Sequence, residues 1–174
     1  MADSLSQEAL IGILSELVDG AKPGAAFVLN GGDPGLLASL EKLSAKEASA
    51  VPADGTSSIA AHVDHVCYGL SLMNRWAQGE NPFTDADWTK SWERTAVSEE
   101  EWNALRKRLK DLAHQWGDAL EAPRDMHAME QSGVIGSVAH LAYHFGAIRQ
   151  IHRGIRGPFA HESQEAGQDP QPAG

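Results

Sequence analysis

Apolar residues return at three- and four-residue steps along most of this chain and nowhere alternate with polar ones over a useful length, so the pattern predicts helices and no sheet. Leu10, Ile13, Leu14 and Leu17 mark a first helix over about residues 5–19, with Ser4 and Gln7 fitting a capping box and Gly20 offering a stop. Breakers then crowd residues 20–32, which read as an ordered loop packed on the core through Phe27, Val28 and Leu29. Asp33 before Pro34 reads as an N-cap with proline at the first helical position. Leu36, Leu37, Leu40 and Leu43 carry that second helix until it fades near Ala48 to Pro52.

A long helix follows, from a hydroxyl cap at Thr56 or Ser57 to about Gln78. Ile59, Val63, Val66, Leu70, Met73 and Ala77 make one stripe on it, and His65, Gly69, Leu72 and Trp76 a neighbouring one. His62 lies between the stripes, and Asp64 points roughly the opposite way, toward solvent. Residues 79–97 lack a period but carry Phe83, Trp88 and Trp92, so this long connection is expected to fold over one end of the bundle. Ser98 and Glu101 form a capping box for a helix through Trp102, Leu105, Leu109, Leu112, Trp116 and Leu120, ended by Pro123. The last helix is expected over about residues 133–152, with Val134, Val138, Leu141, Phe145 and Ile148 as its stripe and His140, His144 and Ile151 alongside. The pattern as a whole predicts an all-α four-helix bundle with an additional N-terminal helical segment, one domain over residues 1–156. Residues 157–174 are too polar to bury much surface and are expected to form a flexible tail.

Composition narrows what such a bundle can serve. At 174 residues the chain can bury a core without staples. Its one cysteine, Cys67, excludes an internal disulfide and sits in an apolar helical pattern, where a small buried thiol is a better reading than a nucleophile. No apolar run is long enough to span a bilayer and the N-terminus lacks the features of a signal peptide, so a cytoplasmic protein without a membrane partner is expected. A net charge of -10 argues against nucleic acid and leaves Arg106, Lys107, Arg108 and Lys110 as a solvated helix face.

Candidate chemistry lies in the histidines. His140 and His144 are four residues apart, which stacks two imidazoles on one helix face, and the pair His62 and His65 could supply a third. Three neutral imidazoles suit zinc, nickel, iron or copper and leave coordination positions open for Lewis-acid chemistry. Leu141 after His140 excludes a His-Glu-x-x-His protease site. Ser137 and Leu141, three residues before the two histidines, exclude a Glu-x-x-His di-iron site. No Gly-x-Ser-x-Gly elbow supports a serine hydrolase, and no attachment motif supports haem. Trp76, Trp88 and Trp92 are candidates to wall a pocket above the site, with packing as the competing reading. Tyr143 is expected to point off the site, and Arg149 either to hold an anion or to pair near the helix end.

The segment Ser58-Ile59-Ala60-Ala61-His62-Val63-Asp64-His65-Val66, the following Leu72-Met73-Asn74-Arg75-Trp76, and Val138-Ala139-His140-Leu141-Ala142-Tyr143-His144-Phe145-Gly146-Ala147-Ile148-Arg149-Gln150 together resemble the two-part signature of the DinB-like superfamily. That resemblance covers most of residues 5–153. It implies a four-helix bundle with a long crossover, a homodimer, and a divalent metal, zinc or nickel foremost with iron or manganese as further options. Its ligands would be His140, His144 and one histidine of the earlier helix. Helical projection leaves His62 and His65 both open; the register of the family motif, counted from Ile59, points to His65 and leaves His62 as a supporting group, a substrate contact or an ordinary buried histidine. The resemblance further implies transfer or isomerisation chemistry with a low-molecular-weight thiol such as bacillithiol or mycothiol, or hydrolysis, on a small substrate. The competing expectation is a stress-associated binding or scaffold bundle without catalytic activity. No general base can be named from the residues.

Overall fold

The computed structural model describes residues 2–22, 24–53 and 55–155, and within them the chain is helical. Four long helices, α1 (Ala2–Asp19), α4 (Ile59–Ala77), α5 (Glu99–Glu121) and α6 (Ala128–Ile151), form the bundle, while α2 (Leu36–Glu41) and α3 (Ala45–Ser49) are the additional short segment. Helix α4 packs on α5 and α6, and α1 closes the other side against the same two. The long crossover between α4 and α5 is irregular apart from two single 3-10 turns, Pro82–Thr84 and Lys90–Trp92. The expected tail over 157–174 lies outside the described residues. No described helix is long and apolar enough to cross a membrane.

The predicted stripes bury as their periodicity requires. Leu17, Leu36, Ile59, Trp102, Trp116, Phe145 and Ile148 are each within 1% of complete burial. Trp102 and Trp116 spend their indole N–H groups on Leu43 O (2.9 Å) and Ser137 Oγ (3.0 Å), which removes the cost of burying them. Ser98 and Glu101 make the capping box read from the sequence, and Gly20 ends α1 with φ 112°, the left-handed geometry that glycine adopts without penalty.

Other boundaries differ. Helix α1 begins at Ala2, so Ser4 lies inside it rather than capping it. The N-cap of α4 is Ser58, one residue past the expected pair, with its hydroxyl accepting from Ala61 N. Helix α6 starts five residues before Gly133 because His127 and Glu130 form a reciprocal cap, with an imidazole nitrogen in the role usually filled by a hydroxyl. The second helix is broken in two, since Ser44 and Glu47 supply a capping box that restarts the chain as α3.

Asp33 does not cap α2, whose N-cap is Gly35 with no side-chain bond. Its carboxylate is fully buried instead and accepts from Arg149 at 2.6 Å, tying the loop after α1 to the end of α6. Residues 27–29 are held chiefly by a carboxylate, with one apolar side chain on the core. Phe27 and Val28 are exposed, only Leu29 is buried, and Glu16 of α1 accepts the backbone N–H groups of Phe27, Val28 and Leu29. Burial raises the Glu16 pKa, but the three donors outweigh it and hold the group below the ordinary carboxylate range. Asp64 also departs from expectation: it is largely covered, accepting from Arg94 (3.0 Å) and Arg108 (3.3 Å).

Candidate metal centre

Helix α4 presents its histidines on the face turned toward α6, and the crossover returns along the same helix. Tyr68 Oη accepts from Asp87 N at 2.7 Å and Ser58 Oγ donates to Thr95 O at 2.8 Å, so residues 87–95 are pinned over the N-terminal half of α4. This places Trp88, Ser91 and Trp92 above His65. Trp92 stacks on the His65 ring at 4.2 Å between centroids and 24° between planes, and Trp88 stands 5.5 Å from the same ring and 6.0 Å from that of His140.

His65, His140 and His144 come together, each offering a ring nitrogen, with these atoms all within 4.8 Å of one another. His140 Nε2 lies 3.0 Å from His65 Nε2 and 3.0 Å from His144 Nε2. Two imidazole nitrogens bound at about 2.0–2.1 Å to one tetrahedral ion would stand roughly 3.3 Å apart, so the trio fits one ion. Its outer bonds reinforce the fit. Ser91 donates its O–H to Trp88 O (2.7 Å), which leaves an oxygen lone pair for the Nδ1–H of His65 at 2.6 Å. That tautomer puts the His65 lone pair on Nε2, facing the other two rings. His144 Nδ1 meets His62 Nδ1 at 2.9 Å, and with the His144 proton on Nδ1 donated to His62, the His144 Nε2 lone pair faces inward as well. His140 Nε2 stands between these two inward lone pairs, and a single cation among the three nitrogens would satisfy all of them with the His140 proton on Nδ1.

The electrostatics point the same way. Burial, with the neighbouring His140 and His62, lowers His65 to about 4. Burial, with His140, His65 and His62, lowers His144 to about 3. Burial alone lowers His62 and His140 from the ordinary histidine value. Imidazoles that are neutral at pH 7 are ready to coordinate without first losing a proton.

Other residues singled out from the sequence fall elsewhere. Trp76, three turns along α4 from His65, packs edge-on against Trp116 and under the Arg124 guanidinium (4.6 Å), in a cavity at the far end of the bundle. Arg149 pairs with Asp33, the helix-end pairing that was one of its two expected roles. Tyr143 points outward, 73% exposed, with only a ring edge against His144. Burial pushes the Cys67 thiol up to about 12, which removes it as a nucleophile. Ser91 was not legible in the sequence: a serine in an aperiodic connection carries no spacing signal, and only the path of the crossover gives it a role. Replacing Ser91 with alanine is expected to weaken zinc binding by about 10–100-fold, the usual effect of losing an outer partner of a ligand. Competition with a chromophoric chelator measures this, and an unchanged affinity would show that Ser91 does not orient His65.

Comparison with protein families matches residues 35–154 to the model described as the DinB superfamily. Comparisons with curated proteins and with solved structures gave no match.

Proposed function

This chain belongs to the DinB superfamily, and from that premise we propose that it is a divalent-metal enzyme whose ion is held by His65, His140 and His144 and whose reaction activates a low-molecular-weight thiol or water toward a small substrate. The observation that carries this reading is the convergence of three neutral imidazoles, two of them oriented from behind by Ser91 and His62. An all-imidazole donor set brings no negative charge, so a bound divalent ion would keep its full charge and lower the pKa of a thiol or water brought to it. The chain's own residues do the rest. Trp92 covers one face of His65 and Trp88 shields the His65 and His140 rings, keeping bulk water off that side. Zinc and nickel suit the donor set best, with iron and manganese behind them.

The test starts with untagged protein, whose metal content is measured directly and then after loading with zinc and nickel. One ion per chain is expected, followed by turnover of a thiol panel, bacillithiol and mycothiol included, with small electrophiles. One bound ion without turnover above the metal-free protein favours the second reading, a binding or scaffold bundle with a structural metal. Among the described residues no carboxylate hydrogen-bonds to the three rings, which supports that alternative by leaving no evident general base.

We also propose a homodimer built on the outer face of α6. Between Gln131 and Ile148 that helix carries no charged residue, and Ile135 and Tyr143 are exposed on it. Light scattering of the wild type and of Ile135→Glu tests this, a monomer in both cases being the result against it.

A further inference from the structure

His140 differs from its two companions on the side away from the cluster. His65 uses Nδ1 on Ser91 and His144 uses Nδ1 on His62, but among the described residues no protein group accepts from His140 Nδ1. The Nδ1–Cε1 edge of that ring lies over Gly69 of α4. A Cβ at Gly69 would stand 3.3 Å from Cε1 and 3.4 Å from Nδ1, so the glycine is what lets the ring edge reach the helix backbone. Gly69 and His140 both border a cavity of about 260 Å³ between α4 and α6, walled further by Leu70, Met73, Phe83 and Trp88. Among the described residues no charged side chain lines it. Among the described residues its other polar side-chain groups are the Trp88 indole N–H and the Ser137 hydroxyl, and Ser137 is already committed, donating to Val134 O and accepting from Trp116 Nε1. With the Nε2 lone pair of His140 directed at the ion site, Nδ1 carries the proton, which places an N–H donor against Gly69 at the edge of a mostly apolar cleft.

We propose that this cavity binds a compact, uncharged molecule with an apolar body and a single hydrogen-bond acceptor, a carbonyl or ether oxygen, that takes the His140 Nδ1–H. The inference rests on the metal-site reading, because that reading sets the His140 tautomer. Volume limits the occupant to a small molecule, since ligand sites generally run from about 300 to 1,000 Å³. The apolar walls favour an aromatic or branched aliphatic body, and a full negative charge would be buried there without a cationic side chain to pair it. Such an acceptor would also bear on the ion. A hydrogen bond from Nδ1–H makes an imidazole a stronger donor through Nε2, so occupancy of the cavity would be sensed at the metal through the ring of His140.

The probes are acetophenone, ethylbenzene, which has nearly the same shape without the acceptor, and benzoate, which adds a charge. Calorimetry on the zinc-loaded full chain is expected to show acetophenone binding at least ten times more tightly than either of the others. Equal affinity for ethylbenzene overturns the acceptor, and tighter binding of benzoate overturns the uncharged class. Gly136 and Gly133 of α6 line the cavity with open space where a Cβ would go, so Gly136→Leu and Gly133→Leu each add a side chain beside it with no clash at Cβ. Both variants are expected to keep zinc affinity and lose acetophenone binding at least tenfold; retained binding in two folded variants places the ligand elsewhere and overturns the proposal. In cobalt-loaded protein acetophenone is expected to shift the visible bands, and binding without a shift overturns the bond to His140. Should the chain take up no metal at all, the metal-site reading fails by itself, and calorimetry with the metal-free protein and the two glycine variants still decides whether the cavity is a binding site.

Discussion

Replacing His140 or His144 with alanine is expected to abolish stoichiometric zinc and nickel binding, with an affinity loss well beyond the roughly 100-fold that an outer partner commands. Each substitution removes one of three converging nitrogens, and among the described residues the ligand group holds no carboxylate or thiolate to replace it. Metal analysis after dialysis reads the result, and a His140→Ala protein that still binds one ion per chain would remove the site from consideration. The pH dependence gives an independent check. His65 and His144 fall to about 4 and about 3 and burial lowers His140 too, so affinity is expected to hold from pH 8 down to the ordinary histidine value and to reach its midpoint of loss below it. A site of exposed histidines would titrate near the ordinary value of about 6.5 instead, and a midpoint there would argue that the cluster is open to solvent.

The same shifts act on the metal-free fold. For a histidine lowered on folding, the unfolded chain binds more protons between the folded and ordinary values. The associated stability is therefore complete above about pH 6.5 and is lost as the pH falls toward about 4 and then about 3. Metal-free protein should melt at lower temperature at pH 5 than at pH 7.

Trp102→Ala is expected to cost about 3–5 kcal/mol of stability, the range for deleting a fully buried aromatic side chain. Trp102 has no exposed surface, packs in the first turn of α5 and donates from Nε1 to Leu43 O, so it joins α5 to the link between α2 and α3. In a chain of this size the loss corresponds to a fall in Tm of roughly 6–20 °C. Trp102→Phe keeps most of the apolar contact but leaves the Leu43 carbonyl without its donor, and should cost about 1–3 kcal/mol more than a neutral change. Calorimetric melts of both variants check the order; equal melting of Trp102→Ala and wild type would mean that the side chain is not buried in solution.

Helix existence and burial were written into local sequence. The stripes through Leu17, Val63, Leu109 and Leu141 follow from 3.6-residue periodicity, and the caps at Ser98 and Gly20 use residue types whose preference is intrinsic. Where a boundary moved, a local competitor won: an imidazole cap at His127, a residue type rarely used as a cap, and a capping box at Ser44 that lies inside the continuing leucine stripe. The pairing of His140 with His144 was local in the same sense, being one helical turn.

The other half of the site was not. Helical projection left His62 and His65 both facing inward, and their roles separate only where α6 and the crossover meet α4. There His65 Nε2 reaches the shared centre and His62 reaches the back of His144 instead. Trp76 lies on the same stripe as His65, yet three turns of rise, roughly 16 Å over eleven residues, carry it to the opposite end of the bundle. Periodicity within one helix therefore determined which residues turn inward, including every histidine of the cluster. Only the tertiary structure decided which inward atoms share a centre, because that depends on the crossing of helices and the path of an aperiodic loop, neither of which has a repeat that sequence can display.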